Sequence, residues 1–245
     1  MTTMMRGASW AALFVLASAP AMVAGAQTQG TPAVMSHADL VALVLMERSA
    51  AAYSSARTLR AGFIQTLTNP RTGNIMRSRG EFLQRGAEQF AFRFSEPPED
   101  RIVADGDVLW LYLPSAARGQ VLKVPRAAGA GFDLVASVMR DPRTRYRVES
   151  GDESVIDGRT VRAVRLTPKS NDASFTRATL WIDSKEALIR RAEFIEPSGM
   201  LRLLDFTSVR TGVQLPRDAF VFTPPPGVRV IDQAAMLGGT VPKKR

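Results

Sequence analysis

The sequence predicts an α+β fold in which one strongly curved antiparallel sheet of about ten or eleven strands forms an unclosed β-barrel. Apolar residues recur with a period of two through most of residues 59–231, which is typical of strands. Turn signals such as Asp-Gly and Pro-Pro interrupt this pattern at short intervals. Helical periodicity occurs once before the strands and once among them, so we expect an N-terminal helix and an inserted helix.

Residues 1–26 have the pattern of an export signal. Arg6 precedes an apolar stretch from Trp10 to Val23, and Ala24-Gly25-Ala26 then provides the small residues that a signal peptidase accepts. The apolar stretch is shorter than the ~20 residues that cross a bilayer. We therefore expect cleavage after Ala26 and a soluble product outside the cytoplasm, folded as one domain over residues 27–233. Because the sequence has no Cys, this product would carry no lipid anchor of its own.

The first helix is predicted to begin after Ser36. Ser36 is a suitable N-cap residue, and the acidic Asp39 stands three positions later. One wide apolar face follows, formed by Leu40, Leu43, Val44, Leu45 and Met46. The pattern continues to about Arg57.

The strand pattern begins at Leu59. Leu59, Ala61 and Phe63 alternate with polar or small residues and therefore share one face of a strand, together with Gln65. A later strand carries Phe90, Phe92 and Phe94 on one face. Both strands thus present a row of large apolar groups to one side of the sheet.

Two Asp-Gly pairs predict β-hairpins. Asp105-Gly106 separates the strand-like residues 101–104 from 108–113, and Asp157-Gly158 separates 145–156 from 160–166. Asp-Gly between strand-like runs is among the strongest short-range hairpin signals.

The inserted helix is predicted around residues 132–139. Phe132, Val135 and Met139 lie on one helical face, with Leu134 and Val138 beside it. Glycines precede the segment and would let it hinge. Two interpretations are open: an ordinary core helix, or a mobile flap whose apolar side covers a ligand.

The concave side of the predicted sheet carries more apolar groups than two short helices can fill. An incompletely filled half-barrel of this kind is a binding site for an apolar ligand. The large side chains expected there are Phe63, Phe90, Phe92, Phe94, Trp110 and Trp181.

Composition excludes several kinds of chemistry. With no Cys and one His, the chain cannot form a disulfide scaffold, a Cys nucleophile, a Cys/His zinc site or a two-His metal motif. We expect no metal, no cofactor and no catalytic residue. The net charge of +9 indicates a solvated basic face, or attraction to anionic lipid headgroups or an acidic partner. Nucleic acid is not expected, because the arginines lack interleaved stacking aromatics.

Several segments, in order and with similar spacings, resemble the periplasmic outer-membrane lipoprotein carrier family, LolA. The resemblance extends from about residue 36 to 232. The segments are Leu59-Arg60-Ala61-Gly62-Phe63-Ile64-Gln65, Gly80-Glu81-Phe82-Leu83, Phe90-Ala91-Phe92, Ile102-Val103-Ala104-Asp105-Gly106, Leu109-Trp110-Leu111-Tyr112, Leu166-Thr167-Pro168-Lys169 and Phe220-Val221-Phe222-Thr223-Pro224-Pro225-Pro226-Gly227-Val228.

The resemblance implies an unclosed β-barrel with a helical lid, whose apolar interior shelters the acyl chains of triacylated or diacylated lipoproteins. It further implies a periplasmic carrier, which we expect to be a monomer, between an inner-membrane ABC transporter and an outer-membrane acceptor. The candidate lipid-binding residues are Phe63, Phe82, Phe90, Phe92, Phe94, Trp110 and Trp181. The candidate lid residues are Phe132, Leu134, Val135, Val138 and Met139.

One position departs from the family pattern. In the family, an Arg lies four residues before the cavity Phe and a Pro lies three residues before it. That Arg latches the lid. Here these positions are Gly86 and Ala87, while Arg85 lies one place earlier. A one-residue offset on a strand points a side chain to the other face, so Arg85 can act as a latch only if the backbone bulges there.

Two other functions are compatible with the sequence. One is a related domain that senses lipid or lipoprotein and regulates a partner. The other is a hydrolase, which would need a base; His37 lies at the start of the first helix, and Asp105 and Asp157 are expected to form turns. Residues 234–245 lie beyond the resemblance and are predicted to be a flexible basic tail.

Overall fold

Residues 35–86, 88–125, 138–171 and 173–236 are described in this computed structural model. The helices are α1 (His37–Ser55), α2 (Pro142–Arg145) and α3 (Gln233–Met236). The strands are β1 (Thr58–Thr68), β2 (Ile75–Arg85), β3 (Gln89–Glu96), β4 (Arg101–Ala104), β5 (Val108–Tyr112), β6 (Gln120–Pro125), β7 (Tyr146–Ile156), β8 (Arg159–Pro168), β9 (Arg177–Asp183), β10 (Ile189–Ile195), β11 (Leu201–Thr211) and β12 (Arg229–Asp232).

Helix α1 begins as the sequence predicts. The Ser36 hydroxyl accepts a hydrogen bond from the backbone N–H of Asp39 at 3.1 Å and donates one to its carboxylate at 2.6 Å. The same carboxylate accepts a hydrogen bond from the backbone N–H of Ser150 at 2.7 Å, which ties the helix start to β7. The bonds from the Ser36 side chain and the Ser150 backbone lower the pKa of Asp39. Leu43 and Met46 face the core and are buried.

The twelve strands of the described residues form one sheet, in the order β12-β6-β5-β4-β3-β2-β1-β11-β10-β9-β8-β7. Among the described strands the edges β12 and β7 have no ladder between them, so the predicted unclosed sheet is confirmed. The number of described strands is somewhat higher than the predicted ten or eleven, and the short β12 pairs with β6 in the parallel direction. Four residues are too few to display an alternating pattern, and the partner strand lies about a hundred residues earlier.

Both predicted Asp-Gly hairpins are confirmed. The backbone N–H of Asp105 donates to the carbonyl of Val108 at 3.1 Å, which closes the turn between β4 and β5. In the turn between β7 and β8, Asp157 and Gly158 have φ angles of 49° and 72°. Two successive positive φ values are characteristic of the type I′ turn, which Asp-Gly favours.

The sheet buries apolar side chains on both faces. We call the face that carries Phe63 and Phe82 the inner face; its large cluster includes residues of α1. The opposite, outer face has a smaller cluster, which is covered by residues 212–228 on their way from β11 to β12. The members of the outer cluster are Leu83, Ala91, Val103, Ala219 and Phe220.

Several predicted segments lie outside the described residues. They are the export signal, most of the predicted lid helix including Phe132, Leu134 and Val135, and residues 237–245. Residues 234–236 of the predicted tail belong to helix α3. Across the described part of the chain, no helix is both long enough and apolar enough to cross a membrane.

Candidate binding site on the inner face

Strands β1, β2 and β3 bring a patch of phenylalanines to the inner face. In the strand register Phe82 lies opposite Phe92, and Phe63 lies opposite Gly80. Because Gly80 has no side chain, the Phe63 ring has room to lean over β2 toward β3. The Phe82 and Phe92 rings are 4.7 Å apart between centroids, and Phe63 meets Phe92 edge-on at 5.2 Å and 78°. Phe90 lies 6.5 Å from Phe82. These four phenylalanines therefore lie together on the inner face.

Phe206, which is not among the predicted site residues, completes this patch from β11. It lies opposite Phe63 in the register of β1 with β11, and its ring is 6.3 Å from that of Phe82. It is buried, as is Leu204, two residues earlier on the same face. The two-residue spacing of Leu204 and Phe206 indicates that they share one face of a strand. Nothing in the sequence alone, however, places β11 beside β1.

The patch has a polar border toward the turn between β1 and β2. Phe94, 5.2 Å from Phe63, is half-buried at its margin. Two residues after Phe63 on β1, the Gln65 amide donates to Ser78 Oγ at 3.0 Å and accepts from Arg202 Nη1 at 2.8 Å. The phenylalanine side chains themselves offer no polar atom, so the patch is suited to alkyl chains.

Two residues at the end of the predicted lid helix also reach the inner cluster. Val138 is fully buried in it, and Met139 packs against it. The predicted apolar side of this segment therefore contacts the inner cluster at these two positions.

The assignment of Trp110 to the inner face is wrong. Leu109 and Leu111 point inward from β5, so the residue between them points outward. On the outer face the Trp110 ring lies 5.6 Å from the ring of Phe222, and its Nε1 donates to Asp105 at 3.4 Å.

The assignment of Trp181 to the inner face is wrong for the same reason. Its neighbours Leu180 and Ile182 are fully buried in the inner cluster, so alternation along β9 turns Trp181 outward. Its ring lies 5.8 Å from the guanidinium of Arg191. Size and apolar character suggested an interior position for both tryptophans, whereas their flanking residues determine the face.

Arg85 lies on the outer face, as alternation along β2 predicts. Its neighbour Gln84 lies opposite Phe90, and Arg85 lies opposite Gln89, so the pairing at this end of β2 has no bulge. The Arg85 guanidinium is 4.9 Å from the centroid of the Phe220 ring, in the outer cluster.

The described residues hold no group of three or more His, Asp or Glu placed to bind a metal ion. Asp105 is engaged in its turn, as predicted, because its carboxylate accepts hydrogen bonds from the backbone N–H groups of Asp107 and Val108 at 3.0 and 2.8 Å.

Comparison with known families agrees with this geometry. Residues 54–223 match the sequence profile of the outer membrane lipoprotein carrier protein LolA. The chain belongs to the LolA family. The match includes all strands from β1 to β11, and so contains the entire phenylalanine patch.

Curated relatives of this LolA-family chain are similar over most of their length. The outer-membrane lipoprotein carrier protein of Nitrosospira multiformis is 28% identical over 180 residues, which cover 73% of this chain and 84% of the relative. That of Cupriavidus pinatubonensis is 30% identical over 156 residues, covering 64% and 71%. These proteins are named for carrying lipoproteins and not for a catalytic activity.

A solved structure supports the fold. An uncharacterized conserved protein from Thermus thermophilus has a TM-score of 0.52 and 13% identity, covering 79% of this chain and 99% of its own. At this identity the likeness concerns the LolA-type fold alone.

Proposed function

We propose that this protein carries lipoproteins through the periplasm, with their acyl chains held against the phenylalanine patch of the inner face. It receives cargo from an inner-membrane ABC transporter, travels as a monomer and releases cargo to an outer-membrane acceptor. The observation that carries the proposal is the patch itself, in which phenylalanine rings from four strands meet. Membership of the LolA family supports it independently.

Such a carrier must bind acyl chains without holding them too strongly. Burial contributes ~0.8 kcal/mol per CH₂ group. Complete burial of two or three chains would therefore give on the order of tens of kcal/mol, beyond the ~20 kcal/mol at which non-covalent affinities saturate. In this protein the rings pack against one another, and Phe63 is only 2% exposed. Entering cargo has to replace these ring contacts, which lowers the net affinity and allows release.

The segment containing residues 132–139 is the lid in this proposal. Its end, at Val138, packs into the inner cluster, so movement of the segment uncovers apolar surface there. Arg85 takes no part in holding it, since its guanidinium lies against Phe220 on the outer face.

Site-specific photo-crosslinking tests the proposal. The photoreactive residue p-benzoylphenylalanine replaces Phe92 or Phe94 in one set of variants, and Trp110 or Trp181 in a matched set. Each variant is mixed with a labelled, detergent-dispersed lipoprotein and irradiated. We expect crosslinks from the inner-face set alone, because all four positions carry an aromatic ring but only Phe92 and Phe94 belong to the patch. Equal crosslinking from both sets, or crosslinking from the tryptophan positions alone, would contradict the proposal.

A further inference from the structure

The turn between β1 and β2 carries two large apolar side chains at its exposed tip. Ile75 and Met76 begin β2 and are 50% and 52% exposed. Pairing between β2 and β3 extends only from Arg79 to Arg85, so residues 75–78 project beyond the end of β3. We call residues 69–78 the hairpin tip.

The two apolar side chains point to opposite sides of the hairpin tip. They are neighbours on one strand, and successive side chains on a strand point to opposite faces. Met76 lies opposite Leu67 on the inner side, and Ile75 lies opposite Thr68 on the outer side. A single protein surface would cover one side of the tip and leave the other in water. A lipid headgroup layer surrounds an inserted tip and accommodates both side chains.

The charge of the hairpin tip is entirely positive. It contains Arg71 and Arg77 and no acidic residue. Both arginines are exposed, and neither side chain has an ion-pair or hydrogen-bond partner among the described residues. Arg79, just beyond the tip, pairs with Glu96 on β3. Two free cations beside exposed apolar groups are complementary to an anionic membrane surface.

We infer that the hairpin tip binds the surface of an anionic phospholipid bilayer. Ile75 and Met76 enter the headgroup layer, while Arg71 and Arg77 contact lipid phosphates. The inner face of β1 leads from the tip through Leu67 and Gln65 to Phe63, so binding there brings the phenylalanine patch close to the membrane. This last consequence rests on the proposed carrier function, whereas the membrane contact itself does not.

Vesicle flotation of the purified protein tests the inference. Vesicles of phosphatidylcholine alone are compared with vesicles that also contain phosphatidylglycerol, at low and high salt. We expect binding to the anionic vesicles only, weakened by salt because exposed charges are screened. Replacing both tip cations, with Arg71→Gln and Arg77→Gln, should lower the partition coefficient by about thirtyfold, the order expected for two basic groups at such a surface. Ile75→Ser with Met76→Ser should also reduce it strongly.

Matched controls at the opposite end of the sheet remove the same kinds of side chain. Arg57→Gln with Arg210→Gln removes two exposed cations, and Val155→Ser alters an exposed apolar residue. These controls should bind as the wild type does. Equal losses in tip and control variants, or no binding of wild type to anionic vesicles, would overturn the inference. Binding only to native membranes that contain protein would instead indicate a protein partner and also overturn it. Lipoprotein crosslinking at Phe92, measured in detergent, reports separately on the proposed carrier function.

Discussion

The guanidinium of Arg85 lies 4.9 Å from the centre of the Phe220 ring, on the face of the sheet opposite to the phenylalanine patch. Arg93 holds the same covering segment by donating to the carbonyl of Ala219 at 3.4 Å. The two arginines therefore fasten residues 212–228 to the outer face.

This position predicts that Arg85→Leu has little effect on cargo transfer. A cation–π contact at an exposed site contributes about 0.5–1 kcal/mol, so a small loss of unfolding free energy is expected. Transfer of a labelled lipoprotein to acceptor membranes should change by less than twofold. A tenfold change in the rate or extent of transfer would mean that Arg85 holds the lid and does not stay on the outer face while the protein carries cargo.

The contrast between the phenylalanines and the tryptophans explains how far the sequence could predict the site. Alternation grouped Phe90, Phe92 and Phe94 correctly, because the spacing of two is a local property of one strand. It could not place Trp110, which stands between two leucines. Alternation does not say which of two apolar rows faces inward, and on β5 both rows are apolar. The outer cluster around Phe220 depends on a segment more than a hundred residues from its partners, which no local pattern reveals.

Phe92 provides a second prediction, concerning cargo binding. Phe92→Glu places a carboxylate among the rings of Phe63 and Phe82. An unpaired charge in an apolar site is costly, so we expect cargo binding to be lost. Phe92→Leu keeps the site apolar and should retain most of the binding. Circular dichroism identifies variants that fail to fold, and a folded Phe92→Glu protein that still carries lipoprotein would refute the assignment of the patch.

Asp183 provides a third prediction, concerning stability and pH. Its buried carboxylate accepts hydrogen bonds from Arg190 and Arg159, both at 3.1 Å, and from the backbone N–H groups of Lys185 and Glu186. Burial alone would raise the pKa of Asp183, but these bonds outweigh it and hold the pKa below the ordinary value of 3.8.

Stabilisation by the ionised Asp183 should be present above about pH 4 and lost as the pH falls through its folded-state pKa. Asp183→Asn should lower the free energy of unfolding at pH 7 by about 3 kcal/mol, because the buried Arg190 loses a counter-charge. Urea denaturation at a series of pH values measures both effects. The wild type should lose more stability on acidification than Asp183→Asn, and parallel curves for the two proteins would contradict the assignment.

Gly80 provides the last prediction, because it lies close against the backbone of β3. A Cβ atom at this position would lie 2.1 Å from the carbonyl oxygen of Arg93 and 2.8 Å from the Cα of Phe94. Both are backbone atoms, so Gly80→Ala must push β3 away and shift Phe94 at the margin of the patch. Such overpacking costs about 1–3 kcal/mol of unfolding free energy.

Gly73→Ala is the matched control, since its positive φ of 70° gives a comparable cost of about 1–2 kcal/mol with nothing within 4 Å of the new methyl group. Urea denaturation should therefore show similar losses for the two variants, while crosslinking to lipoprotein from Phe92 should fall for Gly80→Ala alone. If both variants crosslink as the wild type does, the spacing of β2 and β3 does not control the site; if both fail equally, the loss reflects stability and not the geometry around Phe94.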